Sequence, residues 1–525
     1  MMKRLRMGQL AGIAGLALLM SAPTAGPAAA QDGAALLEEA CSGCHAADAS
    51  GALTRVKGQR KTPEGWLMTI VRMRLFHGME ITPAEQSQLV HYLSETQGLA
   101  PSETAGYRYI LEREPNTVEA PEAPLGEMCA RCHSEARVAL QRRTREEWDL
   151  HIDFHVGQWP TLEYQALARD REWLKIAREE VVPLLAETYP LETPAWTAWQ
   201  SAAKPAATGT WVFATKLPAK GEAYGSLSVS GDSQPYAVSG TLKTASGEEL
   251  PVSGKLNLYT GYEWRANLDI GGTLYRQVMA LSEDGATASG RQFLHAEDSL
   301  GSAITAAKAG GAPMIVGVVP SALPAGSSAS VQVVGTGLTS ASLWGGLVAS
   351  GSTANGYGVA LEVNPAAGMN GVMAVTGGDA RLDDALAVYS QVDSLKVEPA
   401  YAIARVGGAG GLTGKVPAHF EAIGYWNGAD GQPGTDDDVR IGALPAAWSL
   451  APFDEVAAEL EDTTHAGTID STLGIFTPAA AGPNPERPFS TNNAGNLKVQ
   501  AVSGGVSGEG QLIVTVQRWN DPPIC

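Results

Sequence analysis

Two short segments repeat one arrangement of cysteine and histidine. The first is "CSGCH", Cys41 to His45, and the second is "CARCH", Cys129 to His133. Two thiols three positions apart, followed directly by histidine, form the attachment signature of c-type haem. Each thiol can bond one vinyl group of the porphyrin, and the histidine is then placed to serve as the proximal ligand of the iron. The sequence therefore predicts two covalently bound haem c groups.

Two other kinds of site could use the same cysteines, namely a redox dithiol and a zinc site. A redox C-x-x-C seldom carries a histidine directly behind it, and here the histidine is present twice. A zinc site would leave both histidines without a role. Proximal iron ligation is assigned to His45 and His133. Covalent haem attachment is assigned to four residues, which are Cys41, Cys44, Cys129 and Cys132. Cys525, at the end of the chain, receives no role.

A longer repeat follows each motif and predicts a helix. The segments "RKTPEGWLMTIVRM", Arg60 to Met73, and "RRTREEWDLHIDFH", Arg142 to His155, share two basic residues, then Thr, Glu and Trp at fixed spacing. Thr62 and Thr144 are suited to the helix N-cap position. The glutamate two residues after each threonine would stand near the positive end of the helix dipole. We therefore expect one helix after each haem motif.

Each predicted helix carries a stripe that ends in a residue able to ligate iron. Residues four and seven positions apart share one helix face. The stripes are Trp66, Ile70 and Met73 in the first helix, and Trp148, Ile152 and His155 in the second. Such a stripe is more often plain core, but each one here follows a haem motif. We expect Met73 to be the sixth ligand of the first iron and His155 that of the second.

Several neighbouring residues could take the place of these sixth ligands. Met68, His77 and Met79 lie close to Met73 in the sequence, and His151 lies one turn before His155. Only the register of the repeat favours Met73 and His155. The following segment, "ITPAEQSQLVHYLSE", starts with a capping box and predicts the closing helix of a small cytochrome c, with His91 on its surface.

The N-terminus has the pattern of an export signal. Lys3, Arg4 and Arg6 precede the apolar run "LAGIAGLALLM", and small residues lead to Ala30. A basic end, a short apolar core and an A-x-A site are typical of a secretory signal peptide. Cleavage after Ala30 would leave Gln31 as the first mature residue. No later run reaches the roughly 18–20 apolar residues of a spanning helix, so we expect an exported, soluble protein.

The composition excludes some partners and favours β-structure. The chain of 525 residues has a formal net charge of −19 at pH 7. An acidic surface of this kind argues against binding to nucleic acid and to anionic membranes. Sixty glycines and only 18% charged residues are typical of a turn-rich, β-rich chain. Several domains are expected at this length.

The residues beyond the two repeats change from helical to strand-like patterning. From "GTWVFATKLP" onward, apolar and polar residues alternate between turn signals, as in an antiparallel barrel or sandwich. Two later segments, starting at "MIVGVVPSALPAG" and "DSLKVEPAYAIARV", open like domains of immunoglobulin type. The predicted fold is multidomain: an α-helical dihaem cytochrome c region, an antiparallel β-barrel and two immunoglobulin-like β-sandwiches. Predicted boundaries are 1–30 for the signal peptide, 31–194 for the dihaem region with units 31–105 and 106–194, 195–310 for the barrel, and 311–392 and 393–525 for the sandwiches.

One acidic loop in the last segment is a candidate calcium site. "NGADGQPGTDDDVRIG" holds Asp430, Asp436, Asp437 and Asp438 among glycines. Carboxylate oxygens on a tight loop can bind calcium, but the spacing does not match an EF-hand. A solvated acidic turn is the more common outcome, so we leave both interpretations open.

The order of these parts resembles the alpha subunit of quinohemoprotein amine dehydrogenase. The resemblance rests on "CSGCH" and "CARCH", on the tryptophan-bearing repeat after each, and on the β-domains that follow. It implies a periplasmic heterotrimer with a propeller-like beta chain and a small gamma chain that carries a tryptophan-derived quinone. Amines would be oxidised at that quinone, and the two haems would pass electrons to a blue-copper protein or a soluble cytochrome c. The resemblance also implies one His/Met and one His/His haem.

Two other classes of protein fit parts of the pattern. One is a self-contained dihaem enzyme such as a peroxidase, which would need an open or easily vacated position on an iron. The other is an extracellular binding protein with an appended cytochrome, whose β-region would work without partner chains. We find no catalytic residue for amine oxidation in this chain.

Overall fold

The N-terminal third of the protein is helical. The computed structural model describes residues 33–115, 117–408 and 414–516, so the predicted signal peptide 1–30, Gln31 and Cys525 lie outside the described residues. The helices of this third are α1 Gly33–Cys41, α2 Pro63–His77, α3 Pro83–Gln97, α4 Pro101–Thr104, α5 Arg108–Leu111, α6 Leu125–Met128, α7 Ala136–Ala139, α8 Arg145–Gln158, α9 Trp173–Ile176, α10 Val182–Thr188 and α11 Pro194–Ser201. A π-helical turn, Ala177–Val181, joins α9 to α10.

The helix starts predicted from the repeat are confirmed. The hydroxyl of Thr62 accepts a hydrogen bond from the backbone N–H of Gly65, and Thr144 accepts one from Glu147. Both bonds satisfy an N–H group that a helix start would otherwise leave without a partner. The capping box at the start of α3, between Thr82 and Glu85, is also present.

The repeat pairs with itself through two short strands. Strand β1, Gln59–Lys61, runs antiparallel to β2, Gln141–Arg143, with Arg60 opposite Arg142. Lys61 is the repeat equivalent of Arg143, and the register pairs Gln59 with Arg143 and Lys61 with Gln141. This pairing is symmetric about Arg60 and Arg142. The two helical units are therefore related by a local twofold arrangement at this point.

A buried ion triad lies on that local twofold. Arg60 and Arg142 both donate to the carboxylate of Glu103, at 2.9–3.0 Å for Arg60 and 3.0 Å for Arg142. Side chains of all three are at most 8% exposed. The guanidinium of Arg60 also lies over the Trp196 ring, and that of Arg142 over the Tyr189 ring. The triad joins the two units through charges that water does not reach.

Eight strands form a closed antiparallel barrel. In order around the barrel they are β10-β3-β4-β5-β6-β7-β8-β9. Their bounds are β3 Gly209–Leu217, β4 Gly221–Ser230, β5 Tyr236–Thr244, β6 Glu249–Tyr259, β7 Glu263–Ile270, β8 Thr273–Leu281, β9 Thr287–Leu294 and β10 Gly301–Lys308. Closure leaves no sheet edge. Trp211 and Trp264 fill the interior edge to face, with ring centroids 5.6 Å apart.

The barrel packs against the helical region. Arg265 on β7 forms an ion pair with Glu64 in the first turn of α2, at 2.6 Å. The Tyr262 hydroxyl donates to the Leu99 carbonyl oxygen, and the Trp199 indole donates to that of Thr260. These contacts hold the start of α2, the segment after α3 and helix α11 against the side of the barrel.

One prediction about this helical unit is wrong. His91 on α3 is half-buried rather than exposed, because the barrel packs against that face of the helix. Its Nε2 lies 3.0 Å from Nε2 of Gln234, and its ring centroid lies 5.5 Å from that of Tyr259. Both neighbours belong to the barrel or its loops, far from His91 in the sequence.

Two four-stranded sheets follow the barrel and share one apolar core. Their orders are β11-β13-β16-β15 and β12-β18-β17-β14. The strands are β11 Met314–Val319, β12 Ala322–Pro324, β13 Ala329–Thr336, β14 Ser342–Trp344, β15 Ala349–Asn355, β16 Gly358–Val363, β17 Gly371–Gly377 and β18 Ala380–Tyr389. Val333 from one sheet and Val375 from the other are fully buried in the common core.

Three further sheets, one of four strands and two of three, form the C-terminal part. Their orders are β19-β22-β23, β20-β28-β27-β24 and β21-β26-β25. The elements are β19 Ser394–Glu398, β20 Tyr401–Arg405, β21 Ala418–His419, β22 Glu421–Trp426, β23 Val439–Leu444, β24 Ala447–Pro452, α12 Glu455–Glu459, α13 Asp462–His465, β25 Gly467–Ile469, β26 Ile475–Pro478, β27 Gly495–Ser503 and β28 Val506–Thr515. Phe420 and Phe476 are buried at the centre of this core. Within the described ranges, no helix has the length and apolarity needed to cross a membrane.

Candidate haem-binding site

Both C-x-x-C-H motifs fold into the same tight turn. In the first, the backbone N–H groups of Cys44 and His45 donate to the Cys41 carbonyl oxygen at 3.1 and 2.9 Å. In the second, those of Cys132 and His133 donate to the Cys129 carbonyl oxygen at 3.1 and 3.3 Å. None of these cysteines forms a disulfide in the described chain. The turn holds each histidine directly beside its two thiols, as attachment and ligation of one haem require.

The structure brings the predicted ligands of the second iron together. The imidazole centroids of His133 and His155 lie 6.5 Å apart, with an angle of 35° between the ring planes. Metal–nitrogen bonds of about 2 Å on both sides place two imidazole centroids about 6 Å apart. The separation of these two rings is therefore close to that of two imidazoles on one iron.

Backbone carbonyl groups orient both of these imidazoles. Nδ1 of His133 lies 3.0 Å from the carbonyl oxygen of Ser134, and Nδ1 of His155 lies 2.7 Å from that of His151. A hydrogen bond at Nδ1 fixes the tautomer and leaves Nε2 as the ligating atom. Burial lowers the pKa of His133 to about 4 and also lowers the pKa of His155. Both rings are thus neutral near pH 7, which is the form that binds metal.

His151, the alternative to His155, makes different contacts. Its ring stacks on Phe154 with centroids 5.4 Å apart, and it meets His155 edge to face at 4.8 Å. Burial lowers the pKa of His151 well below its ordinary value, and the charge of Arg143 adds to this. His151 therefore packs against Phe154 and His155 on its own helix.

Around the first motif, no hydrogen bond or ring contact joins His45 to one of the predicted sixth ligands in the described residues. Trp66 and Ile70 are buried on α2, and Met73 follows them, half-buried, on the same helix. Met79 is also half-buried and packs against the core of this unit, whereas His77 is exposed. Ligation of the first iron by His45 and Met73 stays a prediction.

Helices α2 and α8, which carry the predicted sixth ligands, contact each other near Met73 and His155. The guanidinium of Arg72, next to Met73, lies 5.0 Å from the ring centroid of Phe154, next to His155. Nη2 of Arg137 donates to Sδ of Met68 at 3.5 Å. Met68 therefore faces the second unit.

The acidic loop in the C-terminal part is folded around its own backbone. Asp437 accepts a hydrogen bond from the N–H of Ala429, Asp438 from that of Gly434, and Asp430 from that of Gln432. In the described part of the chain, no group of three or more histidine, cysteine or acidic side chains is placed to hold a metal ion. These bonds engage three of the four carboxylates with the loop's own backbone, and Oδ1 of Asp438 is buried without a hydrogen-bond partner. Calcium binding by this loop stays a prediction.

Three protein-family models match this chain, and all three describe the same protein subunit. Residues 31–196 match the model described as quinohemoprotein amine dehydrogenase A, alpha subunit, haem binding. Residues 204–309 match domain II of the same alpha subunit, and residues 395–524 match its domain IV. The haem-binding match includes both C-x-x-C-H motifs and both repeats. No match was found among curated proteins.

Solved structures show only local likeness to this chain. A designed fluorescence-activating β-barrel is 13% identical, covers 19% of this chain and 91% of its own, and has a TM-score of 0.17. Drosophila N-cadherin EC1-4 is 11% identical, with coverage of 46% and 65% and a TM-score of 0.22. Domains 4–9 of the surface layer protein SbsC are 12% identical, with coverage of 58% and 46% and a TM-score of 0.16.

These structural likenesses support no inference about function, and the family is shown by the sequence models. Three of them, distributed over most of the chain, describe the same subunit of the same enzyme. The helical region with its two motifs is the haem-binding part, and the closed barrel coincides with domain II. The chain therefore belongs to the quinohemoprotein amine dehydrogenase alpha-subunit family and is an oxidoreductase subunit with a haem-binding domain.

Proposed function

We propose that this chain is the dihaem electron-transfer subunit of a periplasmic amine dehydrogenase. The observation that carries the proposal is the facing pair His133 and His155, at 6.5 Å between ring centroids, beside a C-x-x-C-H turn. A closed pair of imidazoles suits electron transfer, whereas a peroxidase requires a vacant iron position. Bound haem supplies one-electron chemistry, and the protein sets its position and reduction potential.

The residues divide between two haem c groups. For the first, Cys41 and Cys44 form the thioether bonds, and His45 and Met73 hold the iron. For the second, the corresponding residues are Cys129, Cys132, His133 and His155. The internal repeat supports this division, because β1 pairs with β2 and places one ligand-bearing helix on each side of the local twofold. The chain contributes the ligands, the buried surroundings and a fixed spacing between the two sites.

The amine-oxidising site belongs to a partner chain in this proposal. A gamma subunit carries the tryptophan-derived quinone, and a propeller-like beta subunit completes a heterotrimer. Electrons leave the alpha subunit for a blue-copper protein or a soluble cytochrome c. Support comes from the family, which is named for a quinone- and haem-containing amine dehydrogenase with an alpha subunit. Oxidation of an amine needs an electrophilic carbonyl and a base, and we assign neither role to a residue of this chain.

The location and the domain division belong to the same proposal. Residues 1–30 are removed on export, which leaves Gln31 as the first residue of a periplasmic protein. The remaining chain divides into the dihaem cytochrome c domain 31–194, with units 31–105 and 106–194, the barrel 195–310 and two immunoglobulin-like domains, 311–392 and 393–525. Thioether attachment of haem to a C-x-x-C-H motif suits an exported protein. The paired sheets of β11–β18 around one core support the first of the two sandwiches.

Protein purified from the periplasm is expected to carry two porphyrins. Intact mass spectrometry should show the mass of residues 31–525 plus two haem additions, because each motif offers two thiols for thioether bonds. Cys41→Ala is expected to weaken attachment of the first haem only. Ser42→Ala, which changes an exposed residue between the same two cysteines, should leave both additions. A wild-type mass with one haem or none contradicts the proposal.

The isolated chain is expected to leave primary amines untouched. The test is rapid-mixing absorbance of the alpha subunit with a primary amine, first alone and then with the quinone-bearing partner chains. Haem absorbance should change only in the complete assembly, because only the partner offers a carbonyl that forms an imine. Reduction by amine in the isolated chain would place the active site here. No haem reduction in the complete assembly would remove the electron-transfer role.

A further inference from the structure

Two buried cations occupy equivalent positions in the internal repeat. Lys61 is 6% exposed and Arg143 is 4% exposed, and each directly precedes the N-cap threonine of its helix. Nζ of Lys61 lies 5.0 Å from the ring centroid of Trp66, and Cζ of Arg143 lies 5.4 Å from that of Trp148. A cationic side chain thus lies over a buried indole ring in both copies of the repeat.

Each cation acts on a residue one helical turn before the candidate sixth ligand. Nζ of Lys61 donates to Oγ1 of Thr69 at 2.6 Å. Thr69 precedes Met73 by four residues, which is about one helical turn. In the second helix the equivalent of Thr69 is His151, one turn before His155. Arg143 acts electrostatically on both of these histidines. Each cation therefore lies near the helix face that carries the candidate sixth ligand.

The charges around these cations do not balance within the described chain. Glu147 lies 3.9 Å from Arg143, but it already pairs with Arg55 at 3.0 Å. Among the described residues, no carboxylate lies within 4.0 Å of Nζ of Lys61. The other charges that act on Lys61 are the positive charges of Arg143, Arg72 and Arg55 and the negative charge of Glu147. A buried ammonium without an anion is unfavourable.

We propose that Lys61 and Arg143 bind the propionate carboxylates of the haem groups. The inference rests on the proposed function, because it needs haem at both motifs. The cysteines bond to the vinyl groups of each porphyrin. The propionates are the anionic side chains of the ring. Nε and Nη2 of Arg143 donate to Oε1 of Gln141 at 3.2 and 2.8 Å, so Nη1 is the donor left for a carboxylate. The ammonium of Lys61 serves as a point charge. A propionate from each haem neutralises the excess charge described above.

The test compares four variants of the full-length haem-loaded chain. Lys61→Met and Arg143→Gln remove the buried cations. Lys57→Met and Arg145→Gln remove nearby basic residues that are exposed, so they serve as matched controls. The readouts are haem content by intact mass, the propionate bands in the resonance Raman spectrum, and the reduction potentials from spectroelectrochemistry. Each buried-cation variant should shift a propionate band and lower one haem potential, because the oxidised iron loses a nearby positive charge. The controls should shift neither.

Charge-conserving variants separate binding from simple proximity. Lys61→Arg and Arg143→Lys keep the positive charge but change the donors, so the propionate band should shift while the potential stays close to that of the wild type. A potential that falls in Lys61→Met and Arg143→Gln without any change in the propionate bands overturns the proposal. If Lys61→Met or Arg143→Gln fails to accumulate, unchanged bands in the charge-conserving variants overturn it equally. Wild-type chain without haem would instead contradict the proposed function.

Discussion

Replacing Glu103 with alanine is expected to lower the free energy of unfolding of the helical region by about 3–5 kcal/mol. Its carboxylate accepts hydrogen bonds from Arg60 at 2.9 and 3.0 Å and from Arg142 at 3.0 Å. The Thr193 hydroxyl and the backbone N–H of Ala100 also donate to it, at 2.9 and 2.8 Å. Without Glu103, two guanidinium groups stay buried with no carboxylate between them, which is more costly than loss of the hydrogen bonds alone.

Urea unfolding of the purified chain, followed by haem absorbance, measures this effect. Glu172→Ala is the control, because Glu172 forms an ion pair with Lys175 at 3.6 Å in which both side chains are more than half exposed. Exposed pairs of this kind contribute about 0–1 kcal/mol. Equal destabilisation by the two variants would show that the triad does not hold the two units together.

The effect of Glu103→Ala is expected to depend on pH. Burial alone would raise the pKa of Glu103, but hydrogen bonds from Arg60 and Ala100 and the charges of Arg60 and Arg142 outweigh it and leave the pKa lowered from 4.5. A lowered pKa in the folded state means that the carboxylate stabilises the fold above its unfolded-state pKa. This stabilisation is lost as the pH falls through the folded-state value. The difference between wild type and variant should therefore shrink in acid.

Local features of the helical region were predictable from sequence. Helix starts at Thr62 and Thr144 depend on side-chain bonds within a few residues, so the pattern alone identifies them. The strand alternation between residues 209 and 308 likewise predicts an antiparallel barrel, which the structure confirms. The register of the repeat selected His155, and the structure places it opposite His133.

Features that depend on distant segments were not predictable in the same way. The face of α3 that carries His91 has the sequence of an exposed surface, and only the barrel, far along the chain, covers it. Glu103 lies in a short helix whose sequence shows no apolar periodicity. It forms buried ion pairs with Arg60 in β1 and Arg142 in β2, which are distant in the sequence. The repeat showed Lys61 and Arg143 as shared basic residues. Their burial follows from the pairing of β1 with β2 and from packing against the helices.

Replacing His155 with alanine is expected to abolish bis-imidazole ligation at one haem and leave the other haem unchanged. The reason is geometric, because His155 lies opposite His133 and its Nδ1 is engaged with the His151 carbonyl oxygen. Electron paramagnetic resonance of the oxidised chain distinguishes the two ligation states. His151→Ala is the matched control on the same helix, and it should keep both imidazoles on the iron. Loss of the signal in His151→Ala but not in His155→Ala would show that the register of α8 is wrong.

Replacing Met73 is expected to affect only the other haem. Met73→Ala should remove the methionine-ligated signal, and Met73→His should keep two strong ligands while lowering the potential, because methionine ligation raises the potential relative to a second imidazole. Met79→Ala, His77→Ala and Met68→Ala test the neighbouring candidates. Met79 packs in the core of the unit and Met68 contacts Arg137, so their loss should affect stability more than ligation. If one of these three variants, and not Met73→Ala, removes the methionine or low-spin signal, the iron ligand is that residue. The equivalence of Met73 and His155 in the repeat would then not extend to ligation, although β1 and β2 would still pair symmetrically.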